Sequence, residues 1–444
     1  MNYAEAVDFV FGHTNYEMVP RVPHTQETYD LRRLLDVLEE LGDPHLTAKS
    51  LHVTGTNGKG STSVMLASIL SAAGYKTGLY TSPHLVTMRE RFMVDGGLIS
   101  EEEVAELTSL IKPKIDAENA RATYGRLTVF EILTLLSFVW FARQNCRWQV
   151  MEVGMGGRFD ATNVIKPEVC FITAISYDHM EVLGDSLAKI AGEKCGIIKP
   201  GCVVVSHPQP EEAREVIEKD CGKKGVRLLQ IGRDITRRAI GHDLTHQEIE
   251  VKGRLDSYRV SLPLLGDYQL DNCASALAGI EVLAERGTRI DKATMLRGLA
   301  GVTFPGRLQI LQRKPLILVD GGHNPAAAIS LRQALDNYFR TKKSYLVIGV
   351  SNDKDLPGIV SPLAGRFDLV IATRANNPRS TPPEAIAAEF AKMGAATRLA
   401  RGVAEGIELA RSLAGEDDLI CVTGSLFVVG EALAYSRDYG KAAA

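Results

Sequence analysis

The sequence predicts an α/β fold in two parts. Residues 1–300 read as a P-loop nucleotide-binding, parallel-sheet domain with a small β-hairpin addition, and residues 301–444 as a smaller Rossmann-like α/β domain. Three observations predict it. A short apolar strand, a glycine-rich turn and a helical pattern follow one another in residues 51–70, LHVTGTNGKGSTSVMLASIL. Apolar runs of strand length alternate with helical patterns along most of the chain. After residues 301–315, GVTFPGRLQILQRKP, that alternation restarts on its own, which sets the boundary there. A chain of 444 residues is also too long for one ordinary core.

Composition narrows the function classes. The formal net charge is −3 with no basic bias, so non-specific nucleic-acid binding is not favoured. The start, MNYAEAVDFVF, has neither a basic n-region nor a long apolar core, so no secretory signal is expected. The most apolar run, residues 132–142, is too short to span a bilayer. Seven scattered cysteines without a C-x-x-C pair fit buried thiols in a reducing compartment. A cytoplasmic protein without a membrane segment is expected.

Taken in order, residues 29–41 form an amphipathic helix with Leu31, Leu34, Leu35, Leu38 and Leu41 on one stripe. The strand at 51–53 then feeds the turn Gly55-Thr56-Asn57-Gly58-Lys59-Gly60-Ser61-Thr62. Glycines let backbone N–H groups converge on an oxygen cluster, and the following helix adds its positive end. Lys59 is placed to reach outer phosphates, and Ser61 or Thr62 to put a hydroxyl on Mg²⁺. Gly60 separates Lys59 from Ser61, so this is a variant of the usual Gly-Lys-Ser/Thr spacing. A second strand, 77–80, delivers Thr81-Ser82-Pro83-His84 to the carboxyl edge of the sheet, where ligands gather in open α/β folds. Arg89-Glu90-Arg91 reads on its own as a solvated charge cluster.

Ser100 with Glu103, and Thr128 with Glu131, are capping boxes that open two helices, with residues 118–127 as the loop between them. The strand 148–153 carries Glu152 near its end, an acidic group of the kind a nucleotide-bound Mg²⁺ takes from a second strand. Burying that carboxylate with no cation nearby would be costly. The strand 169–175 brings His179 to the same edge, and the helix 187–195 presents Glu193 and Lys194. Strands at 202–206 and 227–231 bracket a charged helix from Glu211. Ile249 and Val251, then Tyr258, Val260 and Leu262, alternate as a hairpin across Gly253. A long helix over 267–286 carries Gln269 and Asn272. In the second part, strands at 316–319, 345–349, 369–373 and 419–422 each run into polar loops, among them DGGHNP with Asp320 and His323. The terminal KAAA is expected to fray.

The ordered set HVTGTNGKGST, TSPHL, MEVGMGGRFDATN, DHMEVLG, GEKCGIIKPG, FPGR, DGGHNP and VTGSL resembles the folylpolyglutamate synthases and the bifunctional dihydrofolate synthase/folylpolyglutamate synthases of the Mur ligase superfamily. The resemblance runs from about residue 20 to residue 435. It implies an ATP-dependent carbon–nitrogen ligase that adds L-glutamate to a folate, or to dihydropteroate, through an acyl phosphate. Lys59 and the loop residues Thr56, Asn57, Gly58, Gly60, Ser61 and Thr62 would then hold the β- and γ-phosphates. Asn272 would read the adenine, and Arg307, Asp320 and His323 would reach ATP from the second domain. Ser61, Ser82, Glu152, His179 and Lys194 would hold two Mg²⁺ ions, Lys194 as a carbamate. The catalytic set is thus Lys59, Lys194, His179 and Arg307. The pterin-bearing substrate is expected around Ser82, Pro83, His84, Arg91 and Phe130.

A monovalent cation such as K⁺ is a further candidate cofactor, and a monomer is expected. The residues alone also admit a P-loop kinase or nucleotide switch. Within the superfamily a ligase for a peptidoglycan nucleotide precursor shares the ATP and metal sites. SPHL, GRFDATN and DGGHNP favour the folate branch.

Overall fold

The structure is a computed structural model and describes residues 1–18, 25 and 28–442. The first residues of the stretch resembling the ligases and the last two of KAAA lie outside these. An eight-stranded sheet is formed by β1 (Lys49–Thr54), β2 (Thr77–Tyr80), β3 (Phe92–Val94), β4 (Gly97–Leu98), β5 (Trp148–Glu152), β6 (Pro167–Ile172), β7 (Val203–Ser206) and β8 (Arg227–Gln230). Its order is β4-β3-β2-β5-β1-β6-β7-β8. The long strands pair in parallel, and only β3 and β4 are antiparallel, at one edge. β1, β2, β5 and β7 are buried almost end to end, as parallel strands covered on both faces are.

With β1 at the centre, three neighbouring strands, β5, β1 and β6, end side by side at the ligand edge. The helix Lys59–Ala72 starts there and is buried on nearly every side. It packs between the sheet and the helices Tyr268–Glu285 and Lys292–Ala300, with Ser68 Oγ donating to Gly298 O at 2.6 Å. Both capping boxes are present. Glu131 N donates to Thr128 Oγ1 and Thr128 N to Glu131 Oε2 (3.3 and 2.8 Å), and Ser100 and Glu103 exchange the equivalent pair.

The structure amends several expectations. The helix before Ala122 runs Glu101–Arg121, so the loop expected from 118 begins four residues later. The expected hairpin is there, as β10 (Gln247–Lys252) and β11 (Ser257–Leu262), and gains a third antiparallel strand, β9 (Thr236–His242). That strand escapes sequence reading because it is exposed along most of its length and carries no alternation. Met88–Arg91 is a single 3-10 turn, and Arg91 is 1% exposed, so MRERF is not a solvated cluster.

The second sheet contains β12 (Gln309–Arg313), β13 (Leu316–Val319), β14 (Ser344–Ile348), β15 (Leu369–Ala372), β16 (Thr397–Leu399) and β17 (Leu419–Thr423). Its order is β12-β13-β17-β14-β15-β16, parallel except for β12. All seven cysteines are free and buried: Cys273 and Cys146 in two cores of the first sheet, Cys170, Cys195, Cys202 and Cys221 together in a third, and Cys421 in the second sheet. Among the described residues no helix is long and apolar enough to cross a membrane.

Candidate active site

The site is built on the turn between β1 and its helix. Thr56 N and Asn57 N donate to Ala174 O (2.9 and 3.2 Å), and Thr56 Oγ1 exchanges hydrogen bonds with the backbone of Ser176, both at 3.1 Å. These contacts tie the turn to the end of β6. Gly58 has φ +91°, and a Cβ there would lie 2.4 Å from Asn272 Oδ1. A Cβ on Gly60 would meet the Phe304 ring at 2.6 Å, and its next neighbour would be Glu152 Oε2 at 3.5 Å. Gly58 is held to glycine by its positive φ and by Asn272, and at Gly60 a Cβ would displace the Phe304 ring.

Lys59 opens the helix, and its Nζ donates to Thr56 O at 3.3 Å. Desolvation lowers its pKa against the pull of Glu152 and Asp178. Glu152 is 4% exposed and its Oε2 accepts the Ser82 N–H at 3.1 Å. Burial raises its pKa, opposed by the charges of Lys59 and then Arg307. Lys194 is 3% exposed, reaches Gly55 O at 2.8 Å, and is pushed down to about 7 by burial and by Lys59. Two lysines and a carboxylate are thus gathered on one loop from three elements.

Behind the loop, Thr62 Oγ1 donates to Asn272 Oδ1 (3.3 Å), Asn272 Nδ2 to Gln269 Oε1 (2.7 Å) and Gln269 Nε2 to Ser61 Oγ (3.3 Å). This buried chain orients both loop hydroxyls. It also occupies the Asn272 amide, and Gln269, singled out on its helix but given no role, belongs to the same network.

At the end of β2, Arg91 Nε donates to His84 Nδ1 at 2.9 Å. A guanidinium can only donate, so His84 Nδ1 is the acceptor and its proton sits on Nε2. Burial and the neighbouring Arg91 charge push His84 down to about 4, which keeps it neutral. Both Arg91 Nη atoms bind the Glu17 carboxylate, at 2.8 and 2.7 Å. Burial would raise Glu17, but Arg91 holds it below the usual carboxylate range. Phe130 stands against Gly154 and Tyr80, its ring 6.0 Å from that of Tyr80.

The second sheet faces this edge. Asp320, 6% exposed, accepts from Leu308 N and Gly322 N (3.0 and 2.9 Å), and burial raises its pKa. Arg307 stacks on Phe304 at 5.5 Å and lies near enough for its charge to act on Lys59 and Glu152. His323 Nδ1 bonds Gly321 O at 2.9 Å, and burial lowers its pKa to about 4. Asn324 and Asn57 exchange amide hydrogen bonds across the two sheets, at 3.0 and 3.3 Å.

Asp178, in the DHMEVLG stretch, carries no signal of a role in the sequence. It accepts from Lys354 Nζ (2.7 Å) and Asn324 Nδ2 (3.1 Å), and Lys354 holds it well below the carboxylate range against its burial. His179 sits beside it with Nε2 3.4 Å from Lys354 Nζ. Of the expected metal ligands, Glu152 and Ser82 meet against the phosphate loop, while His179 lies at the contact with the second sheet. Among the described residues no three His, Cys, Asp or Glu side chains form a ready cation cage. One buried carboxylate beside loop hydroxyls suits Mg²⁺, which takes few protein ligands and shares phosphate oxygens.

The fold and the site define an ATP-dependent two-domain ligase of the Mur type. Residues 53–280 match the Mur ligase middle domain and residues 306–426 the Mur ligase glutamate ligase domain. The dihydrofolate synthase/folylpolyglutamate synthase of Mycobacterium tuberculosis is 34% identical over 93% of this chain and 91% of its own. A probable bifunctional folylpolyglutamate synthase/dihydropteroate synthase of Haloferax volcanii is 35% identical over 97% of this chain, which spans only 50% of that protein. The solved structure of E. coli FolC in complex with DHPP and ADP is 28% identical, with a TM-score of 0.86 over 99% of this chain and 98% of that one. The chain belongs to the folylpolyglutamate synthase/dihydrofolate synthase family of the Mur ligases.

Proposed function

We propose that the chain is an ATP-dependent ligase joining the amine of L-glutamate to the γ-carboxylate of a reduced folate, and also to the carboxylate of dihydropteroate. The observation that carries this reading is the gathering of Lys59, Glu152 and Lys194 on one glycine loop, faced by Arg307, Asp320 and His323 from another sheet. The carboxylate oxygen attacks the γ-phosphorus of ATP, the β–γ bridge breaks and ADP leaves. The glutamate nitrogen then adds to the acyl carbon, and the tetrahedral anion expels phosphate. No side-chain nucleophile is needed. Lys59 and the loop amides of residues 56–62 bind and orient the phosphates, and Arg307 meets the charge that builds on the transferred group.

Glu152, Ser61 and Ser82 are the residues to hold one Mg²⁺ with phosphate oxygens, and His179 and Lys194 a second, neutralising phosphate charge. Burial that pushes Lys194 down to about 7 leaves roughly half of it as the neutral amine at pH 7, the form that adds CO₂ to become a carbamate, which supports that role for Lys194. Asn272, next to Gly58, remains our candidate for the adenine side. His84, Phe130 and the Ser82–Pro83 turn line the pterin side. The division near residue 300, a monomeric state, a K⁺ requirement and a cytoplasmic location belong to the same proposal, the last supported by seven free thiols. The deciding experiment is ATP-dependent incorporation of labelled glutamate with dihydropteroate, tetrahydrofolate and a peptidoglycan precursor as separate acceptors. Incorporation into both pterins is expected. Incorporation into the precursor alone would overturn the folate reading.

A further inference from the structure

The segment from Thr14 to Met18 lies between three parts of the molecule. Its Thr14 carbonyl accepts from Val129 N at 3.0 Å, at the start of the helix that carries Phe130. The Glu17 carboxylate takes both Nη atoms of Arg91, whose Nε is already committed to His84. Every nitrogen of that buried guanidinium is therefore used, and the position of His84 follows that of Glu17. The Glu17 carbonyl accepts in turn from Arg379 Nη1, on the loop after β15 in the second sheet. Arg379 Nη2 pairs with Asp353 at 2.6 Å, and the next residue, Lys354, returns to the first sheet through Asp178 at 2.7 Å. Asn352 N donates to Arg379 O at 2.7 Å, so the two loops of the second sheet are bonded to each other.

These contacts form one continuous chain, His84–Arg91–Glu17–Arg379–Asp353–Lys354–Asp178, with Glu17 held from both sides. We propose that Glu17 and Arg379 are positioning residues that couple the seating of the acceptor-substrate loop, residues 82–91, to the docking of the second sheet on the nucleotide edge. The inference rests on the acyl-phosphate reading above. If the second sheet draws away, Arg379 releases Glu17, Arg91 loses its partner's anchor and His84 is no longer fixed. Docking then excludes water only when the acceptor loop is in place. In an uncoupled enzyme water adds to the acyl carbon in place of the amine. Phosphate leaves, the carboxylate is regenerated, and ATP has been hydrolysed with no amide bond formed.

The test measures ADP released and labelled glutamate incorporated in one reaction, with the full chain, tetrahydrofolate, ATP and glutamate. Wild type, Glu17→Gln, Arg379→Gln and Arg379→Lys are compared, each checked for folding by its melting curve. The wild-type ratio is expected to be one ADP per amide. Glu17→Gln and Arg379→Gln are expected to raise it about tenfold, the scale of one lost charge-assisted hydrogen bond. Arg379→Lys, which keeps a single donor, is expected to fall between. Should Glu17→Gln fail to fold, Arg379→Gln decides alone. A ratio that stays at one while both product rates fall together would make these residues structural only and overturn the coupling. A wild-type enzyme that incorporates no glutamate would instead overturn the ligase reading, a separate result.

Discussion

The ligand edges of the two sheets come from the same strand–loop–helix unit, yet they answer their polar groups differently. On the first sheet the partners are local: Thr54 Oγ1 finds Gly156 O at 2.7 Å, Lys194 finds Gly55 O, and Glu152 finds Ser82 N. On the second, Asp320 and Thr423 are satisfied within their own sheet, but Asn324, Lys354 and Arg379 take partners from the first. The difference teaches a division of labour. The first edge is a preformed receptor for phosphate, whereas the second edge supplies groups whose placement depends on how the sheets meet.

The largest expected effect falls on the receptor. Lys59→Ala should lower the ligation rate by about 10³-fold, the scale of losing a preorganised charge on a developing anion. Glutamate incorporation measures it, and retention of most activity would remove the phosphate-loop assignment. Acid should come next, and it too should strike the first sheet. His207 is pushed from 6.5 down to about 4 by burial, and His52, under the loop in β1, lies well below 6.5 for the same reason. An unfolded chain protonates these rings as pH falls through 6.5, while the folded chain refuses the proton on His207 until near 4 and on His52 until well below 6.5. The His207 share of the stability is therefore untouched above pH 6.5 and drains as pH falls towards 4, by roughly 3 kcal/mol. Denaturant midpoints across that range, compared with His207→Gln, should separate its share.

A smaller effect is expected from the contact between the sheets. Asp178→Asn leaves the Lys354 ammonium, 8% exposed, with only the more distant Asp353 carboxylate at 4.0 Å and should lower kcat/KM about tenfold. Adding Lys354→Met should restore part of the loss. Strictly additive losses would show that the two side chains act separately, and the contrast drawn above would fail on that side. The smallest effect belongs to the exposed β9. Arg238→Ala, which removes a solvent-facing pair with Glu250, should leave both melting temperature and turnover unchanged within error. A measurable loss would make the small sheet part of the machinery.

What could be read from the sequence follows the range of the interaction. The phosphate loop, the capping boxes and the strand ends at Glu152 and Asp320 announce themselves within a few residues, because glycine geometry, side-chain caps and apolar runs are local signals. Arg91 could not be placed that way. Its partner Glu17 is 74 residues distant, and beside Glu90 it looked like one more solvated charge. Glu90 itself folds back to accept from the backbone N–H groups of Leu85, Val86 and Thr87. Asp178 and Lys354 are 176 residues apart, and nothing near either one hints at the other. β9 and β12 escape sequence reading for a different reason: they lie at sheet edges, where neither face is fully covered.

The buried, unbridged cysteines have a practical consequence. A thiol reagent in native buffer can reach each one only when its own surroundings open. Cys421 therefore reports the opening of the second sheet, Cys146 that of the helices over β5 and β2, and the quartet under β6 and β7 that of the opposite flank. Alkylation rates followed peptide by peptide would turn the chain's own sulfur atoms into a map of which layer breathes first, and would show whether nucleotide quiets one layer or all of them.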